Sequence, residues 1–464
     1  MTKLTVLPKS NKTLVFAKQT NAVDRRALMR DVVHLAIPVM GQSLLETLVF
    51  LVDRLMLGRH GTESLASMQI SGSLIWSISS ILGAFSVGSV ALIGRAIGSG
   101  DRTLVAATTR TSLLLALGIG VFASVMSLVG LDGILALLGA GDATVQVTAA
   151  SYLKIVLPAM PLMLLSMVAA AMLQAAGNTR TPFLVAMLAN GVNAIVDYTL
   201  IFGHWGAPEL GVRGAAIGSA LAMTVNASIL LMILARRDSV LTFRGWGGEK
   251  AALTRLLRVS FPAFGERCVQ HLGYFGFVTM IGALGSMAMA ANQALISIES
   301  ICFLSADGFG VAAAAIVAQR LGAKRPSESA FGAWIATTLA VGLLSLCGLA
   351  FVVIPKLLLS AFSPDLRMIA LGVPCLYVAA FAQPFMAISI VLSQGLRGAG
   401  DTKTAFYVSL AGWLIVRLSA TYLFAFTLDL GLVGVWLGST CDWVFRSLIL
   451  SIVFIRGRWQ LSTV

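Results

Sequence analysis

The chain has 464 residues, 58% of them hydrophobic and only 11% charged, with a formal net charge of +13 and a mean hydropathy of +0.90. So few charges cannot cover a water-facing surface, which excludes a soluble enzyme or binding module and makes this a membrane protein. The basic excess alone would suit a nucleic-acid partner, but its distribution, given below, fits a lipid bilayer instead.

Residues 1–33 are polar and basic, with no short apolar core or small-residue cleavage site, and read as an N-terminal tail without a removable signal peptide. Apolar stretches that reach the roughly 20 residues needed to cross a bilayer then follow near 35–57, 68–94, 112–134, 152–175, 183–203, 214–235, 259–284, 287–317, 331–355, 369–396, 405–427 and 431–455. Residues 236–258, RRDSVLTFRGWGGEKAALTRLLR, are too polar to span. They are predicted to link a first lobe, 34–235, to a second, 259–464. The fold class expected is therefore an all-α membrane protein of twelve transmembrane helices.

Basic residues gather on one side of these spans, at Arg25, Arg26, Arg30, Arg95, Arg102, Arg180, Arg236, Lys250, Arg255, Lys324, Lys403 and Arg456 among others. The other side keeps Arg59, Arg213, Lys356 and Arg367. This asymmetry predicts that both termini are cytoplasmic. The five cysteines, Cys268, Cys302, Cys347, Cys375 and Cys441, fall in predicted spans without paired spacing, which favours packing over a disulfide frame or a zinc site.

The chain is written twice. ALIGRAIGSGDRTLVAA around Arg95 returns as AIVAQRLGAKRPSESA around Arg320, MLQAAGNTRTPF returns as LRGAGDTKTAF, and LGVRGAAIGSA returns as LGLVGVWLGST, at offsets of 225, 223 and 220 residues. Pro38 is answered by Pro262 and Pro161 by Pro384. Six spans per copy is an even number, so the copies share one orientation and form a parallel repeat about an axis along the membrane normal. Two pseudo-symmetric six-helix lobes around a V-shaped cleft, rocking to give alternating access, are the expected architecture.

Carboxylates inside spans cost about 2.5–3.5 kcal/mol each on insertion scales, so such residues face a cavity, a partner or a proton. The first lobe has Glu46, Asp53 and Asp197. Glu46 and Asp53 are seven residues apart and share a helix face, as do Asn193 and Asp197, four apart. In the second lobe Asp442 and Arg446, also four apart, read as a structural pair, whereas Glu266 and Arg267 are expected in water or headgroups near an entrance. His271 reads as a packing residue.

The Pro38 span ending in Asp53-Arg54-x-x-x-Gly58, the GNTRTP and GAGDTKT turns, NAIVDYTLIFG and GVWLGSTCDWVFR, taken in this order and duplication, make nearly the whole chain resemble the multidrug and toxic compound extrusion family. DRLMLGR is superficially similar to a major facilitator signature, but that signature belongs between spans two and three. The resemblance implies export of amphiphilic, cationic, drug-like compounds by antiport with H+ or Na+ across the inner (plasma) membrane, by a monomer without a cofactor. Asp53, Asn193 and Asp197 match the proton or sodium site of the DinF-like and archaeal branches, with Ser219 near a common threonine position and Pro38 at the bend of span one. Glu46, often glutamine in the family, is an added candidate. In the second lobe Gln270 and Phe277 replace expected acids, which disfavours a NorM-type sodium site there. Gln270, Glu299 and Asp307 are candidates for substrate contact, with Arg417 as their counter-ion. A lipid or lipid-linked-precursor flippase is the alternative; an enzyme is disfavoured, since HExxH and Walker motifs do not occur.

Overall fold

A computed structural model describes residues 25–137, 143–236, 239–241 and 247–462. The expected tail up to residue 24 and linker residues 237–238 and 242–246 lie outside them. The described residues form twelve long helices and no strand. In the first lobe these are α1 (Arg25–His60), α2 (Thr62–Gly83, resuming as Ser86–Ser99), α3 (Arg102–Val129), α4 (Ala143–Val156, then Met160–Ala175 after a 3-10 turn), α5 (Arg180–Phe202) and α6 (Val212–Ala235). The second lobe has α7 (Glu249–Ala283), α8 (Ser286–Gly322), α9 (Pro326–Val353), α10 (Leu366–Ala399), α11 (Thr402–Leu410, continuing to Thr427) and α12 (Gly431–Arg456). Eleven are long and apolar enough to cross a membrane. The other is α7, which carries Glu249, Lys250, Arg255, Arg258, Glu266 and Arg267.

Local chemistry sets the ends of these helices. Gly100 and Gly400 adopt left-handed backbone conformations at φ +73° and +85° and stop α2 and α10. Asp101 and Asp401 follow, and their carboxylates accept the backbone N–H groups of Leu104 (3.0 Å) and Thr404 (3.3 Å), which starts α3 and α11. α1 runs unbroken through Pro38. α7 starts ten residues before the predicted end of the linker, because EKAALTRLLR is helix-forming and turns Leu256 into a contact with Ala91 and Leu92 of α2.

The structure also corrects the register of the duplication around Arg95. α2 ends in left-handed Gly100 and α8 in left-handed Lys324, an offset of 224 rather than 225. Arg95 therefore corresponds to Gln319, not to Arg320. Further along, α11 contains π-helical turns at Ala411–Arg417 and Leu423–Thr427. A π turn holds an extra residue, and this converts the offset of 223 at Phe183 and Phe406 to 224 beyond it. Gly214 of α6 accordingly lies against Leu200 and Ile201, while Gly434 of α12 lies against Phe424 and Ala425.

The lobes interlock at the basic end, where α2 meets α3, α4 meets α5, α8 meets α9 and α10 meets α11. Gly94 of α2 touches Ala318 of α8, its own repeat partner, so the pseudo-twofold passes between them. On either side the contact is reciprocal. A Cβ on Gly98 would strike the carbonyl oxygen of Gln319, and a Cβ on Gly322 would strike that of Arg95. Arg95 Nη2 donates to the Ala399 carbonyl at the end of α10 (2.8 Å), and Gln319 Nε2 donates to the Ala175 carbonyl at the end of α4 (2.6 Å). Small residues allow this approach, since in lipid helices associate by close packing and polar contacts.

α7 is strapped to the first lobe as well. Arg110 of α3 donates through Nε to Glu249 Oε1 (2.9 Å) and through Nη2 to the Gly247 carbonyl (3.1 Å). The Glu249 carboxyl is held below the usual carboxylate range, first by its own backbone N–H and then by the Arg110 guanidinium. A depressed carboxyl contributes stability that is complete above its unfolded value, about 4.3, and is lost as pH falls through the lower folded value. Thermal melts of wild type and Glu249→Gln should therefore differ at pH 7 and converge as the pH drops well below 4. A gap that persists in acid would show that the ion pair is not its source.

Candidate functional site

Three of the residues singled out from the sequence meet in one chamber of the first lobe, away from the interlock. Asp53 of α1 is 7% exposed, Asn193 of α5 is 3% exposed and Asp197 of α5 is fully buried. The two carboxyl groups lie within hydrogen-bonding reach of each other. As two carboxylates neither could donate, and Asp53 Oδ1, both Asp197 oxygens and Asn193 Oδ1 have no donor. Buried acceptors left this way are costly unless a proton or a cation satisfies them.

Ser219 of α6 completes one wall through Tyr152 of α4, whose hydroxyl is 3.3 Å from Ser219 Oγ. Tyr152 is itself buried, at 3% exposure. The sequence reading missed it, because a tyrosine in an apolar span reads as packing. It also missed Gly218, which leaves room for the Asp197 carboxylate where any Cβ would overlap Oδ1. Gly218→Ala should lower thermal stability by about 1–3 kcal/mol through overpacking and abolish function at this site. The same change at Gly118 of α3, where a Cβ meets nothing within 4 Å, should be silent in the same melts.

Glu46 is not part of the chamber. It is exposed on α1 and accepts from Gln42 Nε2 at 3.0 Å. Sharing a helix face with Asp53 still leaves it two turns away along α1, with Gln42 as its hydrogen-bond partner.

In the second lobe the same chamber is rebuilt with different chemistry. Gly438 of α12 abuts Thr421 of α11 as Gly218 abuts Asp197. One turn earlier Arg417 takes the place of Asn193, and its guanidinium lies 5.4 Å from the ring of Phe277, the counterpart of Asp53. Arg417 is 5% exposed and donates through Nε to Asp442 Oδ2 (3.0 Å), while Arg446 donates to both oxygens of Asp442 (2.7 and 2.6 Å). The expected Asp442–Arg446 pair is therefore joined by Arg417, and Asp442, not Glu299 or Asp307, is the ion-pair partner of Arg417. Trp413 and Trp443 stack on the two guanidinium groups at 3.9 and 4.2 Å, worth about 2 kcal/mol each where desolvated.

Of the remaining candidates, Gln270 and Asp307 line one cavity of the second lobe, and Glu299 does not. Gln383 of α10 donates to Glu299 (3.5 Å), Gln394 of α10 donates to Asp307 (2.9 Å), and Gln270 accepts from Arg267 (3.2 Å). Glu266 is not near solvent as expected. It is 1% exposed, receives two hydrogen bonds from Arg397 of α10 (3.1 and 2.7 Å), and accepts from Ser409 of α11 (2.5 Å). A pair three helices apart in the chain leaves no periodic signal. His271 packs edge-on against Trp76 across the lobes, with ring centroids 5.1 Å apart. All five cysteines are free thiols. Among the described residues no group of three or more His, Cys, Asp or Glu side chains is placed to hold a metal ion.

Known proteins agree with this architecture. The chain is 29% identical over 446 residues to a probable multidrug resistance protein NorM of Thermotoga maritima, covering 94% of each. Its fold is similar to that of a MOP superfamily transporter from Pyrococcus furiosus, with a TM-score of 0.84, 20% identity and coverage of 96% of this chain and 100% of that one. It is also similar to the Vibrio cholerae MATE transporter VcmN in its bent form, with a TM-score of 0.86, 19% identity and coverage of 93% and 97%. The MatE family model matches residues 38–199 and again 262–423, two segments offset by the same 224 residues that relate the lobes, and the chain belongs to the MatE family.

Proposed function

We propose that the protein exports amphiphilic organic compounds from the cell by antiport with H+ or Na+, and that Asp53 and Asp197 carry the coupling ion. The observation that supports this most directly is the buried pair of carboxyl groups with unpaired oxygens. One proton shared between them, or one cation coordinated with the Asn193 oxygen, satisfies what the chamber lacks. Tyr152 and Ser219 position that wall, and Gly218 admits the carboxylate.

Coupling requires that the ion and the exported compound favour different states of the protein by free energy. The ion fits the arrangement in which the lobes are closed at the basic end. The compound binds the arrangement open there, which the positive-inside rule assigns to the cytoplasm. Parting of the lobes at the Gly94–Ala318 contact exchanges the two. Pro38, within α1 between the interlock and Asp53, is where that helix can bend as the chamber fills.

The test uses purified protein in liposomes, with dye efflux followed under a proton gradient alone and then a sodium gradient alone. Transport driven by one of them and lost in its absence supports the reading. Equal transport with no ion gradient overturns it.

A further inference from the structure

The two seams between the lobes close to different heights. On one of them α2 faces α7. There Ser260 Oγ donates to the Phe85 carbonyl (3.1 Å), the rings of Phe85 and Phe264 lie 5.5 Å apart, and seven residues further along α7 His271 meets Trp76 edge-on at 5.1 Å. Seven residues are two helical turns, about 10 Å. On the other seam α1 faces α8, and Gly308 packs on Met40 and the Ala36 carbonyl.

The offset of 224 residues sets the two seams side by side. Pro38 and Pro262 carry it for α1 and α7, and Gly94 and Ala318 for α2 and α8. It matches Trp76 with Ser300 and His271 with Thr47, so the α1–α8 seam has two short hydroxyl side chains where the α2–α7 seam has two rings. Both hydroxyls turn back on their own helices: Thr47 donates to the Ser43 carbonyl (2.9 Å) and Ser300 to the Ser297 carbonyl (2.7 Å). Thr47 is exposed. The ring pair that bridges the lobes on one side thus has no counterpart on the other.

Between the lobes, on the basic-end side of Trp76 and His271, lies a cavity of about 130 Å³ lined by Ala84, Val87, Ala263, Arg267, Val311 and Ala314 among others. It has room for a head group, whereas a whole drug-sized molecule needs about 300–1,000 Å³. The rest of an amphiphile seated there extends out of it. Towards α7 the ring pair stands in the way; towards α1 it does not. A tail that stays in hydrocarbon during such a passage is never moved into water, a transfer that every CH₂ group opposes.

We propose that the exported amphiphile passes between cleft and bilayer through the α1–α8 seam alone, at Thr47 and Ser300, and that Trp76 and His271 shut the α2–α7 seam against it. This rests on the export reading above and adds the route that the compound takes.

The test uses full-length protein in liposomes without any gradient, which separates it from the coupling claim. The probes are a diazirine-bearing amine with a dodecyl tail, which resides in the bilayer, and the same amine with an ethyl tail, which stays in water. Label accumulating after illumination in the α8 peptide that holds Val311 and Ala314 is followed against time by mass spectrometry. Thr47→His with Ser300→Trp moves the ring pair onto the open seam, and should slow dodecyl labelling by about two- to tenfold, the cost of parting one aromatic contact. Ethyl labelling should not change. Adding His271→Thr and Trp76→Ser opens the opposite seam and should restore dodecyl labelling, a recovery that a merely damaged protein would not show. Dodecyl labelling at the wild-type rate in the double variant, equal slowing of both amines, or no recovery in a fourfold variant that melts like wild type overturns the proposal. The expected order of rates without gradient-driven efflux would overturn only the coupling reading.

Discussion

Asp197→Asn should reduce ion-driven efflux to the level of protein-free liposomes while leaving expression and melting temperature near wild type. Asparagine fills the same space beside Gly218 and keeps an acceptor in the chamber, but it cannot ionise and so cannot exchange a proton or hold a cation by charge. Asp53→Asn should do the same. The double variant should be no worse than either single one, because the two carboxyl groups act as one unit and their effects do not add. Glu46→Gln is the informative control. Its carboxylate is exposed and outside the chamber, so coupled efflux should persist. Efflux that survives in Asp197→Asn, or that fails in Glu46→Gln as completely as in Asp197→Asn, would place the coupling ion elsewhere.

Gly98→Val and Gly322→Val should each stop transport by a different route, with the N-lobe chamber untouched. Each added side chain meets a backbone carbonyl of the opposite lobe, and backbone cannot swing aside as a side chain would. Overpacking of this kind costs about 1–3 kcal/mol. Here the cost falls on the state closed at the basic end and spares the open one, so it shifts their ratio by roughly 5- to 150-fold. Cysteines introduced near the interlock should become reactive to water-soluble reagents from the basic side. Arg95→Ala and Gln319→Ala remove only one hydrogen bond apiece and should give smaller shifts in the same direction. Normal efflux with an unreactive interlock in Gly98→Val would show that the helices need not meet this closely during transport.

The two predictions separate the parts of a transport cycle. On the proposed reading, the chamber of Asp53 and Asp197 governs whether an ion drives the movement, and the crossing of α2 with α8 governs whether the movement can occur.

Hydropathy, charge asymmetry and repetition were enough to establish twelve spans, two lobes and the candidate acids, because each is a property of short segments or of residues at fixed spacing. Asn193 and Asp197 share a face by helical geometry alone, and the second copy of the motifs stands in the chain itself. Partnership across helices is not written that way. Whether α5 brings Asp197 to Asp53, whether Glu266 finds Arg397, and whether Arg417 turns to Asp442 or to Glu299 depend on how helices far apart in the chain are rotated and crossed. Those rotations are set by small residues and by the π turns of α11, whose consequence for register is invisible until the packing is known. The sequence thus specified which charges enter the membrane, while the tertiary structure alone decided which of them are neutralised in pairs and which, at Asp53 and Asp197, keep oxygens without a donor.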